Sequence, residues 1–274
     1  MDWHGNLPQE KFEQIILRIP SVNDERFRLA VDVNFSLSIT DHLNNTNLIG
    51  AMECLDDARK RYSQIQYSLY EAHTCVIWNR EFTSQPCEEN AILTGEYYLS
   101  YATLLMYAVA EDLSFFITYF LNIEKDIKVF YDSEEGKRKL EKANITSNAA
   151  KVGIFLSKKF KEHPLTNAIV KLHNNPDWIK ALEYRNTWVH DKPPSIKGGG
   201  VEFTRDKKFT VDANGNEVTF LTAPQQKYSI DDLLDIGLKA SEALAGTLAE
   251  LAEIVINEKE ALKNTFIQPN KDQL

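Results

Sequence analysis

The sequence predicts a mainly α fold: a four- to five-helix bundle with a small β-hairpin insertion, preceded by an irregular or partly β N-terminal segment. Three observations carry that expectation. Apolar residues recur at three- and four-residue spacing over long stretches. One run, Tyr97 to Ile123, is apolar almost all round, as the central helix of a bundle must be. Between two helical regions, Asn214-Gly215 sits among alternating residues, the pattern of a tight hairpin turn.

The elements follow in order. Residues 1–47 form an N-terminal extension. Its runs "KFEQIILRIP" and "RFRLAVDVNFSLSIT" read as strands or packed extended arms, and alternation in the second favours strand. From Leu48 to about Phe82 the spacing of Ile49, Met52, Leu55, Tyr62, Ile65, Leu69, Cys75 and Val76 is helical. "TSQPCEENAILTGE" reads as a connector to the Tyr97–Ile123 helix. Glu111 and Asp112 break that apolar run, and neither half reaches the roughly 20 residues of a membrane span. A buried helix is expected, with no membrane partner. "YDSEEGKRKLEKANITSNAA" is a charged connection with room for a short helix. Another helix follows from Asn148 to about Phe160.

Asn175, Pro176 and Asp177 have the chemistry of a helix start: a cap, a first-turn proline and an acid at the positive end of the dipole. Pro193 and Pro194 lie beyond that helix's end. The hairpin insertion spans about 198–222. The last helix starts at Ser229, with Asp232 close to a capping-box position, and runs to about Asn264. Its seam of Leu244, Leu248, Leu251 and Val255 suits packing inside the bundle or across a dimer. The helical domain is therefore 48–264, with 265–274 a C-terminal tail.

Composition narrows the function. The 274 residues can bury a sizeable core, and 43% apolar with 26% charged is ordinary for a globular protein. A formal charge of -9 argues against broad charge-driven binding to nucleic acid but leaves room for a local basic patch. Cys54, Cys75 and Cys87 have neither disulfide-framework nor metal-ligand spacing, which suits reduced thiols in the cytoplasm. The first residues lack the basic start and apolar core of a signal peptide. No P-loop, dinucleotide fingerprint or nucleophile elbow is present, and the scattered histidines and cysteines offer no metal cluster. No metal and no cofactor are expected.

The stretch "EYRNTWVHDKPP", Glu183 to Pro194, places polar residues where a helix buries apolar ones. With Arg185 at zero on a helical wheel, Trp178, Val189, Leu182 and Ile179 fall at roughly 20°, 40°, 60° and 120°. Asn186 falls at about 100° and His190 at about 140°. Arg185 and Asn186 thus lie within the expected apolar stripe, and His190 at its edge. A buried arginine must find an anion, carbonyls or water. Glu111 and Asp112 of the central helix are the internal candidates: simple structural partners, or acids that hold Arg185 in a working rotamer.

"RNTWVH", Arg185 to His190, resembles the arginine, four to six residues, histidine motif of the HEPN superfamily. In that family a polar residue commonly follows the arginine, and the motif lies toward the end of a helix in a four- or five-helix bundle. The glycine-rich run and hairpin look like an elaboration of larger members, and the chain is most similar to the branch described as Cthe-2314-like. Many such proteins are metal-independent ribonucleases, toxins or defence components, active as homodimers with two motifs facing one cleft. Others are non-catalytic modules that bind nucleotide, RNA or protein.

The resemblance implies Arg185, Asn186 and His190 as catalytic residues, with Glu111 and Asp112, the acids expected to meet Arg185, as supporting ones on the residue reading above. The residue types suit the reaction. Histidine near neutral pKa can take the 2′-hydroxyl proton or protonate the leaving 5′-oxygen. Arginine offers a planar fork to phosphate. Lys192, Lys197, Arg205, Lys207 and Lys208 are nearby candidates for contacts to RNA backbone. The partners so implied are a second copy of the chain, an RNA substrate, and an antitoxin or regulatory protein.

Overall fold

Leu55, Tyr62, Ile65 and Leu69 repeat along one face of a helix and are withdrawn from solvent almost completely. In the computed structural model of the chain they lie on α2 (Thr46–Ile77). The structure describes residues 8–19, 46–143, 147–190, 195–199, 207–212, 214–221 and 226–266. A preceding helix, α1 (Gln9–Ile16), packs on α2. The chain runs from α2 into one π-helical turn (Trp78–Phe82) and then into α3 (Glu88–Phe120).

α2 and α3 pair antiparallel along their lengths. Gly50 near the start of α2 lies against Tyr119 near the end of α3, and Val76 near the end of α2 lies against Gly95 near the start of α3. A Cβ on Gly95 would come 2.6 Å from Val76, so glycine permits the close approach. α3 also contacts α6 (Asn148–Lys159), α8 (Pro176–His190) and α9 (Ile230–Phe266). It is the one helix among the described residues long and apolar enough to cross a membrane, and half of its most apolar stretch is buried in the bundle. Between α3 and α6 lie α4 (Glu124–Asp132) and α5 (Glu134–Ala143), and α7 (Pro164–His173) follows α6.

The helix starts are set by side chains that accept otherwise unpaired backbone N–H groups. Ser147 Oγ accepts from Ala150, His163 Nδ1 from Leu165, and Asn175 Oδ1 from both Asp177 and Trp178. Ser229 and Asp232 exchange bonds reciprocally, at 2.9 Å and 3.1 Å, closing a capping box at the start of α9. The seam of α9, Leu244, Leu248, Leu251 and Val255, is buried inside the bundle. Between α8 and α9, β1 (Lys207–Val211) pairs antiparallel with β2 (Glu217–Leu221), Lys207 opposite Leu221. Asp212 Oδ1 accepts from the N–H groups of Asn214 and Asn216, and Gly215 takes φ of 82° in the turn.

Four expectations need correction. The segment "KFEQIILRIP" is not an extended arm. Residues Gln9–Ile16 are helical, because Phe12, Ile15 and Ile16 present one face to the bundle and Ile15 is fully buried. Its partner run "RFRLAVDVNFSLSIT" lies outside the described residues. α3 begins at Glu88, not Tyr97, since Ala91, Ile92 and Gly95 already pack on neighbours. α4 falls almost wholly between the expected helix end at Ile123 and the charged connection that starts at Tyr131, and the sequence pattern marks neither it nor α7. Both are short, and pattern counting is weakest there.

Polar contacts tie the ends together. Arg80 binds Glu88 of α3 at 2.7 Å and 2.5 Å and Asp231 of α9 at 2.8 Å and 3.0 Å. Arg18, just after α1, grips Glu81 through two bonds of 2.6 Å and 2.8 Å. All three cysteines are free; burial pushes Cys54 up to about 11 and Cys75 up to about 12, so both stay protonated at neutral pH.

Burial lowers the pKa of His73, beyond what Asp231 and Asp235 restore, and burial also lowers that of His173. The native state therefore favours both neutral rings, while the unfolded chain protonates them from about pH 6.5 downward. Their contribution is intact above pH 6.5 and is lost as pH falls through the depressed native values. Thermal unfolding from pH 7.5 to 5.0 should show a falling Tm, with a shallower slope in His73→Gln/His173→Gln. A Tm independent of pH across that window would contradict the assignment.

Candidate functional site

Trp178, Ala181 and Tyr184 form the buried edge of α8, spaced by threes. Trp178 is fully buried, and Tyr184 lies 3.1 Å from Ser100 Oγ and donates to Glu96 Oε1 at 3.5 Å. Burial, with Glu96 alongside, raises the Tyr184 pKa well above the phenol range, so the hydroxyl keeps its proton. These contacts fix the rotation of α8 against α3.

That rotation differs from the wheel's expectation. Ile179 and Val189, placed on the apolar stripe, are 41% and 40% exposed. The buried arc is centred toward Tyr184, so Asn186 lies outside it and is exposed, as is His190. Only Arg185 of the motif is half-buried. The C-terminal turn of α8 stands free of the core, with Trp188 beside it also exposed.

The motif residues nevertheless meet. The Arg185 guanidinium lies over the Tyr107 ring, 4.1 Å from its centroid. Its Nη1 donates to Asn186 Oδ1 at 2.9 Å and approaches His190 Nε2 at 3.4 Å. Arginine has no acceptor, so a hydrogen bond at this contact requires Nε2 to accept. Arg185 Nε is buried and, among the described residues, has no hydrogen-bond partner.

The supporting acids behave differently from expectation. Asp112 is paired with Arg61 of α2, not with Arg185. Burial raises the Asp112 pKa, and Arg61 opposes that shift. Glu111 lies one helical turn beyond Tyr107 on the same side of α3. Its Oε1 is buried without a hydrogen-bond partner, and among the described residues it forms no ion pair with Arg185. The guanidinium reaches an aromatic face one turn before either acid.

The five basic residues beyond α8 fall only in part among the described residues. Lys192 and Arg205 lie outside the described residues. Lys207 and Lys208 belong to β1. Lys197 sits in a turn where its N–H donates to the Tyr228 carbonyl at 2.9 Å. Asp232 is held below its ordinary pKa chiefly by hydrogen bonds from Ser229, with the nearby Lys197 charge adding to the effect.

No family model, curated protein or solved structure matches the chain. The site must therefore be read from its own geometry. It presents a cation held flat on a ring, with Nη2 uncommitted among the described residues, beside an exposed imidazole. Both are reachable from solvent. That combination can bind a tetrahedral anion and move a proton next to it.

Tyr107 and Tyr184 escaped the sequence reading. Tyr184 was legible in the spacing with Trp178 and Ala181. Tyr107 was hidden, because one aromatic among many in an apolar run carries no mark of its partner. Tyr184→Phe should cost about 0.5–1.5 kcal/mol, the worth of one buried hydrogen bond, in urea unfolding. An unchanged midpoint would mean that the Ser100 contact does not anchor α8.

Proposed function

We propose that the chain is a metal-independent RNA endonuclease of HEPN type, acting as a homodimer in the cytoplasm as a toxin or defence component. An antitoxin or regulatory protein would be its further partner. The observation that carries this reading is the convergence of Arg185, Asn186 and His190 on the open last turn of α8, with Arg185 laid on Tyr107.

In the proposed reaction the scissile phosphate takes the donors of Arg185. The long contact to His190 Nε2 gives way, and the freed lone pair accepts the ribose 2′-hydroxyl proton. The 2′-oxygen bonds to phosphorus, the bond from phosphorus to the 5′-oxygen breaks, and that oxygen must be protonated as it leaves. One imidazole cannot be base and acid in the same step, so His190 of the partner subunit, in its protonated imidazolium form, donates this proton and is left neutral, while the first His190 becomes the imidazolium. The products are a 2′,3′-cyclic phosphate and a 5′-hydroxyl. Asn186 holds Arg185 in place until phosphate arrives.

Support for the dimer comes from α3. Leu93 and Tyr97 are 67% and 72% exposed, Tyr101 and Phe115 are also exposed, and all four share one side of the helix. Tyr107 borders this stripe, so a second copy seated on it would bring two Arg185–His190 pairs toward one cleft. The alternative is a non-catalytic HEPN-like module that binds nucleotide, RNA or protein; a charge of -9, which opposes broad attraction to RNA, favours the protein-binding form of it.

Purified protein with single-stranded and structured RNA should give cyclic-phosphate ends in EDTA. His190→Ala and Arg185→Ala should each lower the rate by about 10²–10⁴-fold. Tyr107→Phe should keep most activity, whereas Tyr107→Leu should raise KM, as a phosphate-binding arginine without its platform would. Undiminished cleavage by His190→Ala rules out this mechanism, and RNA binding with no cleavage by any preparation supports the alternative.

The interface has its own test. Tyr97→Glu/Tyr101→Glu should convert a dimer to a monomer in sedimentation velocity and reduce RNA turnover, with helical circular dichroism preserved. A wild-type chain that sediments as a monomer at tens of micromolar removes the dimer from the mechanism.

A further inference from the structure

Gly95 and Gly237 lie in close helix contacts, where an added Cβ would come within 2.6 Å of Val76 and 2.9 Å of Leu69. Gly153, in the interior of α6, is different: among the described residues nothing stands within 4 Å of where its Cβ would be. Glycine weakens a helix interior relative to alanine, and no close packing among the described residues requires it here. The open space above it belongs to a groove of about 540 Å³ between α6 and α7. Ala149 and Ile169, both buried, form its apolar floor.

Charge gives the groove a direction. The protein carries a net charge of -9, yet among the described residues the titratable side chains lining this groove are Lys139, Lys158 and His173, with no acid. Lys158 is already engaged, paired with Glu135 and lying 5.5 Å over the Phe130 ring. Lys139 forms no ion pair among the described residues. Burial disfavours the charged form of His173, leaving a neutral ring with polar nitrogens beside the apolar floor. A volume of this size, mostly apolar and with few polar groups, is what a small organic ligand fills.

We propose that the groove between α6 and α7 binds a free amphipathic anion, an apolar chain or ring system bearing one acid group, with the apolar part over Gly153 and the acid at Lys139. The site is separate from the Arg185 constellation and does not rest on the ribonuclease reading.

The test uses the full chain with dodecanoate as probe and dodecyltrimethylammonium as its cationic counterpart, read by calorimetry below their micelle concentrations. Dodecanoate should bind and the cation should bind at least tenfold more weakly. Gly153→Leu should abolish dodecanoate binding, and Lys139→Glu should weaken it at least tenfold. Gly153→Ala should raise Tm while weakening binding, which separates loss of the site from loss of the fold. Should Gly153→Leu fail to fold, Lys139→Glu and Gly153→Ala still decide the matter. Equal binding of anion and cation, or dodecanoate affinity unmoved in Lys139→Glu and Gly153→Ala, overturns the proposal, as does an absence of dodecanoate binding to the wild type.

Discussion

The antiparallel contact of α2 with α3 sets the frame for the other helices, and it depends on small residues at the crossing. Gly95 brings Val76 to a distance that no Cβ could share, and Ala58, Ala72, Ala91 and Ala102 are likewise buried. Larger residues there would push the helices apart and open voids along two long helices, with costs of a few kcal/mol at each site. Once the pair is formed, α6, α8 and α9 pack against faces of α3 already fixed in space. The Arg80 clamp then joins the first turns of α3 and α9 to the π turn that ends α2. Arg61 and Asp112 form a second tie, from the middle of α2 to α3.

The same frame determines how Arg185 is held. An acid partner would neutralise the guanidinium and occupy its donors. An aromatic ring beneath it, as Tyr107 is, stabilises the charge through its electron-rich face and leaves the in-plane N–H groups free for an incoming anion. Tyr184 contributes indirectly. Anchored to Ser100 and beside Glu96, it sets the angle at which its neighbour Arg185 leaves α8. The exposed last turn then keeps Asn186 and His190 at the surface, and Nη1 spans the gap between them.

Much of this was legible in order and little of it in rotation. The starts of α8 and α9 were readable because capping is local: Asn175, Ser229 and Asp232 satisfy backbone groups within three residues. The buried seam from Leu244 to Val255 was readable because its period is helical. The angle of the α8 stripe is not legible locally, since apolar Ile179 and Val189 are exposed while Tyr184, with its polar hydroxyl, is buried. The pairing of Asp112 was misassigned because adjacent Glu111 and Asp112 point in different directions about α3. No local pattern says which neighbouring helix each will meet.

By itself the sequence determined a mainly helical chain, the termini of its best-capped helices and a cluster of arginine, asparagine and histidine within one helix end. Those follow from short-range hydrogen bonding and from periodicity, which act through neighbours in the chain. Only the tertiary structure decided that Arg185 rests on Tyr107, that Arg61 takes Asp112, and that the last turn of α8 stays open. Each depends on which faces of separate helices meet. That choice is made by packing summed over the whole core, and no segment of the sequence contains it.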